Sequence, residues 1–164
     1  MTDTLLARLE AESAIRRLVG LYCDAVNRRD PEAAAQLFAP DAAIRIADFP
    51  GISGAEAIRE GFRQTFGLHA FLRQQCDVAL IDVAGDTAKA RLSVFEAAQR
   101  EGDDALSLIF GFYEDGYVRL AEGWRFHTRR YVLQYRCLAD VAKSQLSEVV
   151  LAPFAADRHD AAQD

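Results

Sequence analysis

Apolar residues recur at three- and four-residue steps at the start of the chain and at two-residue steps through its second half. Ile15, Leu18, Val19, Tyr22 and Val26 share one face of a helix, with Arg17 and Asp24 opposite. Asn27-Arg28-Arg29 closes it. Asp30-Pro31 then opens a second helix, Asp as N-cap and Pro at the first helical position. The pattern predicts that this helix runs through Leu37-Phe38 and stops at Ala39-Pro40. Residues 43–47 alternate and predict a short strand. Ser53-Gly54-Ala55-Glu56 has capping-box spacing, and Ile58, Phe62 and Phe66 at four-residue steps place a third helix on the core up to Gly67.

Beyond Gly67 the chain reads as strands. Residues 70–83 and 87–99 are joined at Ala84-Gly85-Asp86. Residues 106–120 and 124–135 are two longer strands joined by Ala121-Glu122-Gly123, a hairpin signal. Aromatic and β-branched residues crowd this hairpin at both parities, so both of its faces are expected to be covered. Residues 141–151 predict a last helix ended by Pro153, and residues 157–164 a frayed polar tail. The expected organisation is one α+β domain over residues 1–137, a helical extension over 138–156 and a flexible tail over 157–164. Long antiparallel strands curl, and helices on one side of a curled sheet leave a pocket between the layers.

Composition sharpens this picture by exclusion. With 51% hydrophobic and 27% charged residues among 164, the chain is globular rather than disordered. A net charge of −6 argues against nucleic acid or an anionic membrane as partner. Cys23, Cys76 and Cys137 are odd in number and form no CxxC, which argues against a disulfide framework or a zinc site. No metal cluster, nucleotide-binding glycine loop or serine-nucleophile elbow is present, and no cofactor is expected. No signal peptide and no run of membrane-spanning length is seen, so a cytoplasmic location is the expectation.

Three local patterns carry a family resemblance. The first is Ile15-x-x-Leu18-x-x-x-Tyr22 running into Val26-Asn27-Arg28-Arg29-Asp30. The second is Leu37-Phe38-Ala39-Pro40-Asp41-Ala42 with Gly54-Ala55-Glu56-Ala57-Ile58 after it. The third is Gly123-Trp124-Arg125-Phe126 with Arg129 behind it. In this order they resemble the nuclear transport factor 2-like superfamily, and within it the SnoaL-like branch of cyclases, dehydratases and dehydrochlorinases. The resemblance implies a cone-shaped curved sheet, three helices closing an apolar pocket, and frequent dimers through the sheet's outer face.

It also implies where chemistry would sit. Catalytic members of the branch carry an Asp five residues after the Tyr of the first helix and a His early in the first long strand. Such a pair suits proton abstraction or water activation, the carboxylate orienting the imidazole. Here the first position is Asn27. Counting back from the Gly85-Asp86 turn puts the second at Arg73, between Leu72 and Gln74. Asn27 cannot take up charge, and an Arg is no base near neutral pH, though Arg73 would bind an anionic oxygen given a partner such as Asp77, Glu96 or a ligand.

Two histidines offer a displaced base, His69 before that strand and His127 in the last. Strict alternation would set His127 and Arg129 on one face and Trp124, Phe126 and Arg130 on the other. Tyr22, Asn27, Arg73, Tyr113 and Arg129 are the candidate ligand-binding residues, and His69 and His127 the candidate catalytic ones. Three functions are expected from these residues. The first is a pocket protein for a largely apolar aromatic, steroid-like or polyketide-like molecule. The second is a lyase or isomerase with a displaced His. The third is an accessory subunit like the small subunits of ring-hydroxylating dioxygenases. A homodimer is expected as well, its interface drawn from several of Ile109, Tyr113, Tyr117, Tyr131, Leu133 and Tyr135.

Overall fold

The computed structural model of the chain describes residues 2–46 and 50–141. Among these residues three helices, α1 (Thr2–Asn27), α2 (Pro31–Ala35) and α3 (Ala55–Gly67), accompany six strands. The strands are β1 (Phe38–Ile46), β2 (Ile52–Ser53), β3 (His69–Ala84), β4 (Thr87–Arg100), β5 (Ala105–Leu120) and β6 (Gly123–Asp140). They form one sheet in the order β2-β1-β6-β5-β4-β3, antiparallel except where β1 runs parallel to β6. The α+β class and the curved sheet with three helices are as expected.

The apolar stripe of α1 lies on the concave face of the sheet, with Ile15, Leu18, Val19, Tyr22 and Val26 all buried. Asp30 caps α2, its Oδ1 accepting from the Ala33 amide at 2.9 Å. Tyr22, Phe38, Phe62 and Phe126 form a ring cluster with centroids 5.0–6.2 Å apart. Burying side chains of this size contributes about 1.5–3 kcal/mol each.

Several local expectations are corrected. α2 ends at Ala35, and Phe38, Ala39 and Pro40 already belong to β1. Pro40 is tolerated there because β1 and β6 lose register between Phe38 and Ala43, where no ladder donor is required. The N-cap of α3 is Gly54 at φ 87°, with no side-chain cap, so the Ser53 capping box does not form. β6 runs on to Asp140, paired with Ala105, past the strand end expected at Tyr135. The helix expected over residues 141–151 lies outside the described residues except for Val141.

The largest correction concerns which side chains face inward. β3 and β6 do not alternate strictly. The β5–β6 ladder slips once between Gly116 and Tyr117 and again between Phe110 and Gly111, leaving His127 and Gln134 as extra residues in β6. The β3–β4 ladder slips between His69 and Phe71 and between Val78 and Leu80. Each such bulge reverses the parity of the strand beyond it. Directly opposed residues share a face, so the concave side carries Trp124 and Phe126, then Arg129 and Tyr131. On β3 it carries His69, then Leu72 and Gln74, then Ile81 and Val83.

The expected dimer patch changes as well, because the odd-numbered residues of β5 all face the interior. Tyr113 and Tyr117 are buried in the interior, and Ile109 and Tyr131 line a cavity. On the outer face stand Phe95, Phe110 and Tyr135, with neighbouring centroids 5.1 and 6.2 Å apart. Phe110 is 42% exposed and Tyr135 59%.

Candidate functional site

A cavity of about 560 Å³ lies between the concave face, α1 and α3. Its walls are largely apolar. Val26, Ile44, Ile52, Phe62, Phe66, Leu72 and Ile109 supply carbon surface, and Tyr22, His69, Gln74, Glu96, Tyr113, Arg129 and Tyr131 supply the chemistry. This volume is in the range that encloses a small organic ligand.

Arg129 anchors the site. It is 2% exposed, and its Nε and Nη2 donate to Asp115 Oδ1 and Oδ2 at 2.9 and 2.7 Å. Asp115 also accepts from the Tyr117 hydroxyl at 3.0 Å. The bulge at His127 makes the pair possible, since Asp115 and Arg129 stand directly opposite across the β5–β6 ladder. The guanidinium carbon lies 4.1 Å from the Tyr22 ring centroid, 4.0 Å from that of Tyr113 and 4.2 Å from that of Phe126. Ring faces stabilise a cation, so the charge is held by three π-systems and one carboxylate. Burial works against the cation, but Asp115 overrides it and holds the Arg129 pKa well above its ordinary value. Burial also pushes the Tyr22 hydroxyl up to about 12, with Arg129 pulling the other way, and raises Tyr113 and Tyr131.

Two buried polar groups of cavity-lining residues have no hydrogen-bond partner among the described residues: Arg129 Nη1 and the Tyr131 hydroxyl. Buried polar groups are almost always satisfied, so a pair of orphans in one cavity is informative.

A second group of polar residues sits on β3 and β4. Gln74 is 3% exposed, and its Nε2 donates to Glu96 Oε2 at 2.7 Å and to the Tyr113 hydroxyl at 3.0 Å. Burial raises the Glu96 pKa, and the Gln74 hydrogen bond and His69 only partly offset it. His69 Nδ1 lies 2.7 Å from the Thr65 carbonyl oxygen. A carbonyl can only accept, so Nδ1 carries the proton and Nε2 keeps the lone pair of the neutral ring.

The fold separates the candidates named from sequence. Tyr22, Tyr113, Arg129 and His69 line the cavity. Arg73 is exposed and outside it, because the slip between Val78 and Leu80 shifts the inward set by one residue and brings Gln74 to that place. Asn27 does not line the cavity either. Its amide accepts from the Gln74 N–H at 2.7 Å and donates to the Gln74 carbonyl at 3.1 Å, fastening the end of α1 to β3. His127 points outward, 45% exposed, with Nε2 3.6 Å from Asp41 Oδ2. Asp115, Gln74 and Tyr131 were not among the site residues named from sequence, and Tyr131 was expected on the outer face.

A curved sheet closed by helices over an apolar cavity, with a buried cation at its wall, has the architecture of the nuclear transport factor 2-like class. The model of the SnoaL-like domain matches residues 7–130, and the chain belongs to that family. Among solved structures it is similar to a hexachlorocyclohexane dehydrochlorinase, LinA-type3, from Novosphingobium barchaimii LL02. That match has a TM-score of 0.76 and 18% identity, covering 88% of this chain and 99% of that one. It is also similar to an ntf2-like protein with a cystatin-like fold from Novosphingobium aromaticivorans, at TM-score 0.68 and 23% identity, covering 80% and 87%. A structure described as LinA gives TM-score 0.76 at 20% identity, covering 91% and 100%. No curated protein matches the chain. Among the described residues no helix is long and apolar enough to cross a membrane.

Proposed function

We propose that the chain binds a small, largely apolar ring compound, aromatic, steroid-like or polyketide-like, through one oxygen set against Arg129 and Tyr131. The observation that carries this reading is the pair of orphaned groups, Arg129 Nη1 and Tyr131 hydroxyl, in residues lining one cavity. Both can donate to a ketone, phenol or enolate oxygen, and the apolar walls favour rings. The relatives described as dehydrochlorinases fit a pocket for apolar molecules, although likeness at this identity speaks for fold alone. 2-Naphthol, a planar bicyclic phenol, is a suitable probe. Calorimetric titration is expected to give binding tighter than about 1 mM, better than about −4 kcal/mol. No binding to the wild-type chain would overturn the reading.

A lyase or isomerase activity is the second reading. His69 favours it, since the Thr65 carbonyl fixes its tautomer with Nε2 free to accept a proton. Asn27 adds no support, because its amide is committed to the Gln74 backbone. A homodimer through the outer face around Phe95, Phe110 and Tyr135 is part of the proposal. It would bury at least about 1,200 Å² in total, and sedimentation at the single-chain mass of 18.2 kDa would exclude it.

A further inference from the structure

Cys23 and Cys76 are brought face to face by the way α1 meets β3. The Asn27 amide makes two hydrogen bonds to the Gln74 backbone, and Arg29 donates to the His69 carbonyl oxygen. Position 29 of the chain thus meets position 69, and position 27 meets 74, so α1 and β3 run in opposite directions. One turn back from Asn27, on the same face of α1, is Cys23. Two residues on from Gln74, on the same face of β3, is Cys76. One turn of helix and two residues of strand are nearly equal steps, roughly 6 Å and 6.6 Å. The two thiols therefore arrive at one level between helix and sheet. Val94, directly opposite Cys76 in the ladder, is buried, as an inward-facing Cys76 requires. Both cysteines are partly buried against the core, neither lines the cavity, and both are free thiols. Cys76 Sγ also reaches Gln74 Oε1 at 4.0 Å, a weak tie. Hydrogen bonding with the Cys76 thiol pulls the Cys23 pKa below its ordinary value; burial opposes this, and Arg129 adds to the lowering. The same contact pushes the Cys76 thiol up, and burial raises it further.

We propose that Cys23 and Cys76 form a redox modification site, which a hydroperoxide oxidises to an intramolecular disulfide clamping α1 to β3. The clamp is independent of what the cavity binds. Cys23, the more acidic thiol, is the attacking thiolate, and Cys76 is the resolving thiol. The Cys23 sulfur attacks one oxygen of the peroxide and the O–O bond breaks. Sulfur is oxidised and the peroxide reduced, and the leaving oxygen takes up the Cys23 proton as water or an alcohol. Cys23 is then a sulfenic acid. The Cys76 sulfur attacks the Cys23 sulfur, the S–S bond forms and the S–O bond breaks. The departing hydroxide takes the Cys76 proton and leaves as water. Two thiols and one hydroperoxide thus give one disulfide, one water and the reduced peroxide. A thiol reductant reverses the bridge by exchange. No CxxC spacing marks such a pair in the sequence, because its members come from a helix and a strand that only the fold brings together.

The test treats the folded full chain with hydrogen peroxide, labels the remaining thiols with a maleimide after unfolding in urea, and maps the peptides by mass spectrometry. Label is expected to be lost from Cys23 and Cys76 together, with a peptide pair joined through them. The chain itself is expected to be lighter by two hydrogens, about 2 Da. Dithiothreitol is expected to restore both labels. The bridge closes the chain from residue 23 to residue 76, so the urea midpoint of the oxidised protein is expected to rise by about 1 M or more. Cys137→Ser is expected to form the bridge as the wild type does. Cys23→Ser and Cys76→Ser are each expected to lose the joined peptides and the urea shift; should either fail to fold, the peptide map of the wild type decides. No bridge in the folded wild type overturns the proposal, as does Cys23 oxidised to sulfinic acid while Cys76 keeps its label. Bridges through Cys137 alone, or a bridge that forms only when peroxide is added to the unfolded chain, overturn it also. A lowered urea midpoint in the oxidised protein would show that the fold does not present the pair for bridging, and would overturn it too.

Discussion

Replacing Tyr131 by Phe separates what the pocket costs the fold from what it gives the ligand. The hydroxyl is buried and has no hydrogen-bond partner among the described residues. Its ring stays useful without it, packed 5.0 Å from the Tyr113 ring. Leaving a buried hydroxyl unsatisfied costs about 1–3 kcal/mol. Tyr131→Phe removes that penalty and keeps the ring, so the free protein is expected to gain about 1 kcal/mol. For a chain of this size that raises Tm by about 2–4 °C. Binding moves the opposite way. A ligand oxygen that loses one donor, with Arg129 left as the other, is expected to bind about tenfold more weakly, or about 1.4 kcal/mol. Urea unfolding of the free chain and calorimetric titration with 2-naphthol measure the two terms separately. A free protein destabilised by about 1 kcal/mol or more would mean that the hydroxyl is satisfied within the fold. An unchanged affinity would mean that the ligand oxygen lies elsewhere. Either result refutes the reasoning.

Asp115→Asn should be among the most damaging single changes, costing about 3–5 kcal/mol in urea unfolding, because it strands the Arg129 charge among rings. Replacing Arg129 and Asp115 together by Met and Leu should cost markedly less, and a double change as harmful as the single one would contradict that account. Stability should also depend on pH through Glu96. Its folded pKa is raised above the ordinary 4.5, so the folded state holds this proton more tightly than the unfolded chain. The resulting loss of stability is absent below 4.5, grows as pH rises through the folded pKa, and is complete above it. Glu96→Gln should flatten that fall, and an unchanged profile would show that Glu96 does not produce it.

Most of the architecture was legible because its signals are local. Asp30-Pro31 caps a helix by its own side chain and ring, and the apolar stripe of α1 needs only helical period to be seen. Gly54 and Pro40 were misread because tertiary pairing overrode local preference: the strand β1 claims Pro40, and a glycine at positive φ starts α3. The site was legible as types of residue but not as directions. Arg129 was named, yet strict alternation would have set it on the face opposite Phe126. The clue was present in the apolar pattern itself. In β6 the rings switch parity from Trp124 and Phe126 to Tyr131, and in β3 the apolar positions switch from Leu72 and Cys76 to Ile81 and Val83. Each switch marks a bulge. Asp115 could not be chosen from sequence, since an acidic residue in a strand usually reads as solvent-facing until an opposed cation is known.

The paired bulges in β6 make the strand a three-part ribbon whose middle, residues 128–133, is out of phase with both ends. The ends keep their own pairing while the middle turns its side chains over. In such a strand the unit of change for the pocket is the gain or loss of a bulge rather than a substitution. Drawing His127 into the ladder would send Arg129 to the outside and bring its neighbour Arg130 in, with every amino acid of the strand unaltered, whereas deleting His127 would leave Arg129 opposite Asp115. Relatives sharing this fold can therefore carry similar strands letter for letter and yet present opposite faces to their cavities. Aligning them by strand phase, bulge by bulge, will compare like with like where aligning by residue type alone will not.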